Sequence, residues 1–214
     1  KNYLLGLYIL ILPVLLFLDT SNLRQVNIKS IIFILISILI IFFLIITLYK
    51  IYSKIFNVKE VLLNYEKTKQ GPKIKLEKIL EIILLKKPKL ICLPNPDSPT
   101  GHSFSLDEIE ILLKKAMKVG TLVLIDEAYY PFYIYTSKKF IKKFPNLIIV
   151  RSTSKAWGLA GLRVGYVLSS INIIKEMHKV RPMYEINHVG AELFNKYMSK
   201  ENLVKNSVRR LLEG

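Results

Sequence analysis

The chain has 214 residues, 51% of them hydrophobic, with 32 Lys and Arg against 16 Asp and Glu, a formal net charge of +16. That length suits one substantial domain with an appendage, and a lone cysteine, Cys92, excludes an internal disulfide and a cysteine-built metal cluster. The lysines are spread through helices and turns without an aromatic-interleaved basic stripe or zinc-ligand spacing, which argues against nucleic acid as a partner.

The apolar excess is concentrated at the front. Tyr3 to Leu18 is a 16-residue apolar run, and Ile31 to Tyr49 is an uncharged run of 19 residues. The second matches the ~30 Å hydrocarbon core of a bilayer as a helix. With the polar link Asp19 to Ser30 the two runs predict a transmembrane hairpin over residues 1–49, anchoring the chain through residues 3–49. Lys50, Lys54 and Lys59 follow, which predicts a cytoplasmic remainder. A basic surface beside such an anchor suits anionic lipid headgroups. No small-residue cleavage site follows Leu18, so a signal peptide is not expected.

From residue 50 onward the patterning is that of a soluble domain. Ile74 to Leu85 repeats apolar residues at helical spacing. Leu90 to Leu93 is a short apolar strand running into Pro94-Asn95-Pro96-Asp97-Ser98-Pro99-Thr100-Gly101, a rigid turn. Ser105-Leu106-Asp107-Glu108 is a capping box that predicts a helix to about Val119. Thr121 to Ile125 reads as a buried strand with Asp126 at its carboxyl end, where open α/β sheets place their ligands. Apolar residues followed by Asp-Glu also describe the Mg²⁺-holding strand of a P-loop ATPase. No G-x-x-x-x-G-K-[ST] loop accompanies them, which sets that reading aside.

Asn146 to Val150 is a further short strand, leading to Ser152-Thr153-Ser154-Lys155-Ala156-Trp157-Gly158-Leu159-Ala160-Gly161-Leu162-Arg163-Val164-Gly165. A lysine taken alone is a solvated surface charge. Here it sits between small hydroxyl residues and a glycine-rich turn with an arginine. That combination suits an aldehyde cofactor carrying a phosphate: the amine forms a Schiff base, and hydroxyls with a guanidinium hold the dianion. Ile171 to Lys179 and Ala191 to Met198 read as helices. His102, His178 and His188 are scattered; His102, which follows the Pro-Thr-Gly turn, reads as a solvated loop histidine, with an approach to the site as the alternative. Strands alternating with helices imply an α/β fold with a mostly parallel sheet.

The segment around Lys155 resembles the cofactor-lysine segment of the class I/II aminotransferases, the fold-type I pyridoxal phosphate enzymes, and within them the histidinol-phosphate aminotransferase branch. Asp126-Glu127-Ala128-Tyr129 matches that family's Asp-Glu-Ala-Tyr, and Asn95 to Gly101 resembles its Asn-Pro-x-x-Pro-Thr-Gly turn. The resemblance implies pyridoxal 5'-phosphate as cofactor, Lys155 as its catalytic lysine and Asp126 as partner of the protonated ring nitrogen. It implies Tyr129 as donor to the phenolic oxygen, with Ser98 standing where the family has an asparagine for the same contact. Ser152, Ser154 and Arg163 correspond to the phosphate grip. A looser likeness of Val180 to Asn187 implies Arg181 and Asn187 as substrate contacts.

The resemblance starts near Ile46 to Tyr52, where Leu48 to Phe56 looks like the family's helix preceding Val58-Lys59-Glu60-Val61, and continues to Gly214. It implies the large domain of the family fold, an α/β three-layer arrangement, in partial form over residues 50–214. The family's early phosphate loop and its final small domain have no counterpart here, so weak cofactor retention and little turnover are expected. The implied reaction is transamination between an amino donor and an oxo acid, with a homodimer as the complete form. Two alternatives stay open: a catalytically inactive, membrane-tethered binding or scaffold module of the same fold, and a small membrane protein that merely shares it. No metal is expected.

Overall fold

A computed structural model describes residues 54–55, 57–69, 71–98, 100–181 and 186–213. The expected membrane hairpin lies outside the described residues, as does nearly all of the helix expected at Leu48 to Phe56. Among the described residues no helix is long and apolar enough to cross a membrane. The chain divides into two compact units, residues 1–62 and 63–214. Every element that positions the site belongs to the second.

That unit opens with a small antiparallel hairpin, β1 (Glu66–Thr68) and β2 (Gly71–Lys73). Helix α1 (Leu76–Lys86) follows, its buried residues Leu76, Ile79 and Ile83 on one face. Lys87 ends it in the left-handed conformation, φ 44°, and its N–H donates to the Ile83 carbonyl. Then come β3 (Leu90–Pro94), α2 (Leu106–Lys118), β4 (Leu122–Asp126), β5 (Leu147–Ser152) and β6 (Gly165–Ser169). The predicted capping box at α2 is present: the Glu108 N–H donates to Ser105 Oγ at 3.2 Å, and the Ser105 N–H to Glu108 Oε2 at 2.8 Å.

The main sheet has the order β3-β4-β5-β6. The first three strands are parallel, with Pro94 opposite Asp126 and Asp126 opposite Val150. β6 returns antiparallel to β5, pairing Ser152 with Gly165. The connection from Ser152 to Gly165 holds only a single 3-10 turn, Ala160–Leu162, and no crossover helix, so the strand after the lysine segment comes back beside its predecessor. The α/β class and mostly parallel sheet agree with expectation.

Alternation divides the sheet into two faces. Ile91, Leu93, Val123, Ile125, Leu147 and Ile149 point to the face covered by α1 and α2, where they meet Ile79, Ile83, Ile109, Leu112 and Leu113. Phe140 and Phe144 close one end of this core at ring centroids 5.9 Å apart. Each large aliphatic side chain buried this fully stabilises the fold by about 1.5–3 kcal/mol. On the opposite face Leu90 and Leu122 remain 47% and 37% exposed. Helix α3 (Ile171–Lys179) flanks that face, leaving a cavity of about 550 Å³ lined by Leu122, Ile148, Ile173, Met177 and Val180. The described residues therefore build two of the three expected layers in full and the third only in part, because α3, with nine residues, is too short to span the sheet.

Two further helices close the unit: α4 (His188–Met198), three residues longer at its start than expected, and α5 (Glu201–Glu213), which periodicity alone did not reveal. Asn187 accounts for the first difference, since its Oδ1 accepts from the Gly190 N–H at 2.6 Å and caps the helix early.

Candidate active site

The carboxyl ends of β3, β4 and β5 lie side by side, and the turns leaving them carry the polar side chains singled out above. After β3, Asn95 is buried and bonds the chain back to itself. The Phe104 N–H donates to Asn95 Oδ1 at 2.8 Å, and Asn95 Nδ2 donates to the Phe104 carbonyl at 3.3 Å. The Asn95 N–H also donates to the Asp126 carbonyl at 2.9 Å, extending the β3–β4 ladder by one step. Thr100 bonds Asp97 within this turn. Partial burial and the nearby Asp97 carboxylate, to which it is hydrogen-bonded, push the Tyr65 hydroxyl up to about 12.

This geometry sets Ser98 beside β4. The Tyr129 hydroxyl donates to Ser98 Oγ at 3.1 Å, and Lys155 Nζ lies 5.4 Å from the centre of the Tyr129 ring. Three residues from three turns thus converge. Lys155 is exposed, and its Nζ has no ion-pair partner among the described residues. Asp126 is half-buried at the β4 end, and its Oδ1 accepts from the Ala128 N–H at 2.9 Å. Burial raises its carboxyl above the ordinary value; the Ala128 N–H opposes that and the Glu127 charge adds to it. A carboxylate in that condition gains most from a cationic partner.

The lysine segment is closed by backbone bonds. Thr153 is buried, its Oγ1 donating to the Val164 carbonyl at 2.7 Å and its N–H to the same oxygen at 3.2 Å. The Ser154 N–H donates to Ser152 Oγ at 3.1 Å, so these two serines share one turn. Arg163 stands one residue beyond the Thr153–Val164 contact, exposed, with φ 54°. Gly158, with φ 65°, makes the reversal that follows Lys155. Ala156 and Trp157 turn inward against Val204 and Val208 of α5, and Trp157 packs edge-on to Phe194 of α4 at 6.0 Å. The lysine is therefore presented to solvent by neighbours that are anchored.

Behind the strand ends lies a buried ion pair that sequence reasoning missed. Glu127 is 2% exposed and Arg151 is 6% exposed. Arg151 donates to Glu127 Oε2 from Nη2 at 2.9 Å and from Nε at 3.1 Å. The signal was a charged residue inside the apolar run Leu147 to Val150 and its sequel, at a position where alternation demands a buried side chain.

One expectation is corrected. His102 is not a solvated loop histidine: it is half-buried, edge-on to Phe104 at 4.7 Å, with a buried Nε2 that has no hydrogen-bond partner. Asn187 uses its side chain structurally, capping α4 and donating from Nδ2 to the Leu162 carbonyl at 3.0 Å. Arg181 Nη1 lies 2.9 Å from His178 Nδ1 on the surface. Among the described residues no cluster of three or more His, Cys, Asp or Glu is placed to hold a metal.

The family profile described as Aminotransferase class I and II matches residues 32–213, which bears out the resemblance and begins inside the apolar run Ile31 to Tyr49. The histidinol-phosphate aminotransferase of Caldanaerobacter subterraneus subsp. tengcongensis is 35% identical over 165 residues, covering 77% of this chain and 45% of that protein. That of Thermotoga maritima is 41% identical over 107 residues, covering 50% of this chain and 30% of that protein. The chain spans less than half the length of the curated relatives it matches. Among solved structures, the histidinol-phosphate aminotransferase from Clostridium acetobutylicum superposes with a TM-score of 0.67 at 22% identity, covering 75% of this chain and 48% of that one. The enzyme from Sinorhizobium meliloti in complex with pyridoxal-5'-phosphate gives 0.63 at 24% identity, covering 73% and 42%. At these identities the superpositions show the fold.

Proposed function

We propose that this chain, which belongs to the class I and II aminotransferases, carries the cofactor-holding core of a histidinol-phosphate aminotransferase-like enzyme. The observation that carries this reading is the convergence of Ser98, Tyr129 and Lys155 at the carboxyl edge of the sheet. It stands beside Asp126 and the Ser152–Ser154 turn, in a chain matched by the family profile over most of its length.

The residues fit pyridoxal 5'-phosphate. Among the described residues, a lysine amine without an ion pair stands over an aromatic ring that is itself anchored by a hydroxyl contact. Among the same residues, a half-buried carboxylate lacks a cationic partner. Two seryl hydroxyls occupy one turn, with Arg163 at the neighbouring strand end. When bound, the cofactor supplies an aldehyde for the lysine and a ring that withdraws electrons from the substrate's α-carbon.

Each side chain then has a role. Lys155 would hold the aldehyde through its amine, with loss of water, and, once displaced by the substrate amine, would carry a proton at the substrate α-carbon. Asp126 stabilises the protonated ring nitrogen through its negative charge. Tyr129 would turn its hydroxyl proton to the phenolic oxygen, with Ser98 behind it then donating to the Tyr129 oxygen. Ser152, Ser154 and Arg163 hold the phosphate, the guanidinium by parallel N–H donors. The partners are an amino donor, an oxo acid and, in the complete enzyme, a second copy. The family match running through most of Ile31 to Tyr49 favours this reading over a membrane-tethered scaffold.

The experiment is a visible absorption titration of the full chain with pyridoxal 5'-phosphate, then borohydride reduction and peptide mapping. A new band with the reduced adduct on Lys155 supports the assignment. An unchanged band in a folded Lys155→Ala variant overturns it.

A further inference from the structure

We propose that the buried Glu127–Arg151 pair is a positioning device for the cofactor site, fixing the spacing between the β4 and β5 carboxyl ends without touching the cofactor. This rests on the reading above and goes beyond it, because neither residue is among those assigned to the cofactor.

Glu127 directly follows Asp126, and Arg151 directly precedes Ser152. Neighbouring residues in extended chain point to opposite faces. Asp126 and Ser152 therefore occupy one side of the strand ends, and the ion pair the other. The Glu127 N–H donates to the Val150 carbonyl at 2.9 Å, continuing the β4–β5 ladder past its last strand pair. The side chains then cross-link the same two strands a second time. Each strand end is held by a backbone bond and by a charged fork.

The pair is also over-determined. Glu127 Oε1 accepts from the Ser137 N–H at 2.7 Å, and Oε2 accepts from Thr136 Oγ1 at 2.7 Å. Arg151 Nη2 donates to Thr136 Oγ1 at 2.6 Å. The Tyr130 ring lies 3.6 Å from the guanidinium carbon, and Tyr166 is the cross-strand partner of Arg151. Two buried charges with this many directed contacts permit one arrangement of the strand ends. An apolar pair of equal volume would stabilise the sheet as well but would permit small slips. A cofactor gripped at its ring nitrogen by Asp126 and at its phosphate by Ser152 is sensitive to such slips, since a misplacement of about 1 Å can cost roughly a hundredfold.

The test compares pyridoxal 5'-phosphate with pyridoxal, the same aldehyde ring without the phosphate, on the full chain. Affinities for both are measured for wild type, Arg151→Lys, Thr136→Val and the double variant Glu127→Leu with Arg151→Met, each checked for fold by circular dichroism. Lost stability lowers both affinities by one factor and leaves their ratio alone. Misplaced strand ends lower the ratio, because only one ligand needs both grips at once. The ratio is expected to fall about tenfold in Arg151→Lys and in the double variant, and less in Thr136→Val. If a charged variant fails to fold, the apolar double variant and Thr136→Val carry the test. A ratio within twofold of wild type in the folded variants overturns the inference. Wild type that traps no cofactor on Lys155 overturns the cofactor-site reading, and with it this one; trapping on Lys155 with unchanged ratios overturns the positioning role alone.

Discussion

The Tyr129 hydroxyl donates to Ser98 Oγ at 3.1 Å, joining the turn after β3 to the turn after β4 across 31 residues of sequence. Where the family resemblance implies an asparagine, this chain has a short hydroxyl that accepts from the tyrosine. Tyr129 is thereby held beside Lys155.

Tyr129→Phe removes the donor and releases Ser98. Cofactor affinity should fall about tenfold, near the 1.5 kcal/mol of one hydrogen bond to a charged oxygen. Ser98→Ala should cost less, because the tyrosine hydroxyl remains. Titration of the visible band measures both. A larger loss in Ser98→Ala than in Tyr129→Phe would show that Ser98 is the direct contact.

Asp126 should affect the empty and the loaded protein in opposite directions. Its carboxyl is raised above the ordinary value chiefly by burial. The native state thus holds that proton more tightly than the unfolded chain. Its contribution to stability is present below the ordinary carboxylate value and is lost as pH rises through the raised one. Asp126→Asn should therefore slightly stabilise the cofactor-free protein at neutral pH. It should also weaken cofactor binding about tenfold or more, by removing the partner of the ring cation. In wild type, affinity should decline as pH falls through the raised carboxyl value. Thermal melts and pH-dependent titrations check the two signs separately.

Trp157, the single tryptophan, lies two residues from Lys155 and is 7% exposed. A cofactor bonded at Lys155 absorbs in the range where this indole emits, so its fluorescence should be strongly quenched on binding and recover in Lys155→Ala. Trp157→Ala should destabilise the unit by about 3–5 kcal/mol, since it empties the contact with Val204, Val208 and Phe194. Trp157→Phe should lose much less. Fluorescence that ignores the cofactor while the visible band forms would place the adduct on another lysine.

Gly190 is buried where a Cβ would sit 2.8 Å from Asn187 Nδ2 and 3.1 Å from Val164 Cγ2. Gly190→Ala should displace the Asn187 side chain from its cap and from the Leu162 carbonyl. The expected cost is about 1–2 kcal/mol, the scale of a lost N-cap. Because Leu162 precedes Arg163, phosphate-dependent cofactor affinity should fall as well. Urea unfolding and the titration above read the two effects.

The local elements were legible because their signals are local. The capping box at Ser105, the apolar strand ending in Asp126 and the helix over Ile171 to Lys179 are each written within one or two turns of chain, at a period of two or of 3.6. The lysine between hydroxyls, with its arginine eight residues on, named a chemistry before any fold was drawn. The bounds of α4 were less legible, since Asn187 became a cap only by meeting Gly190.

What the tertiary structure alone decided are the pairings between distant segments. Nothing in the chain's periodicity says that Ser98 meets Tyr129, that Glu127 is buried against Arg151, or that β6 turns back antiparallel to β5. Those relationships follow from register, which sets every side chain on one face or the other at once. A one-residue slip of β5 against β4 would put Arg151 where Ser152 now stands and carry the ion pair to the cofactor side. The sequence by itself determined which residues could do the chemistry; the register of three strands decided which of them face it.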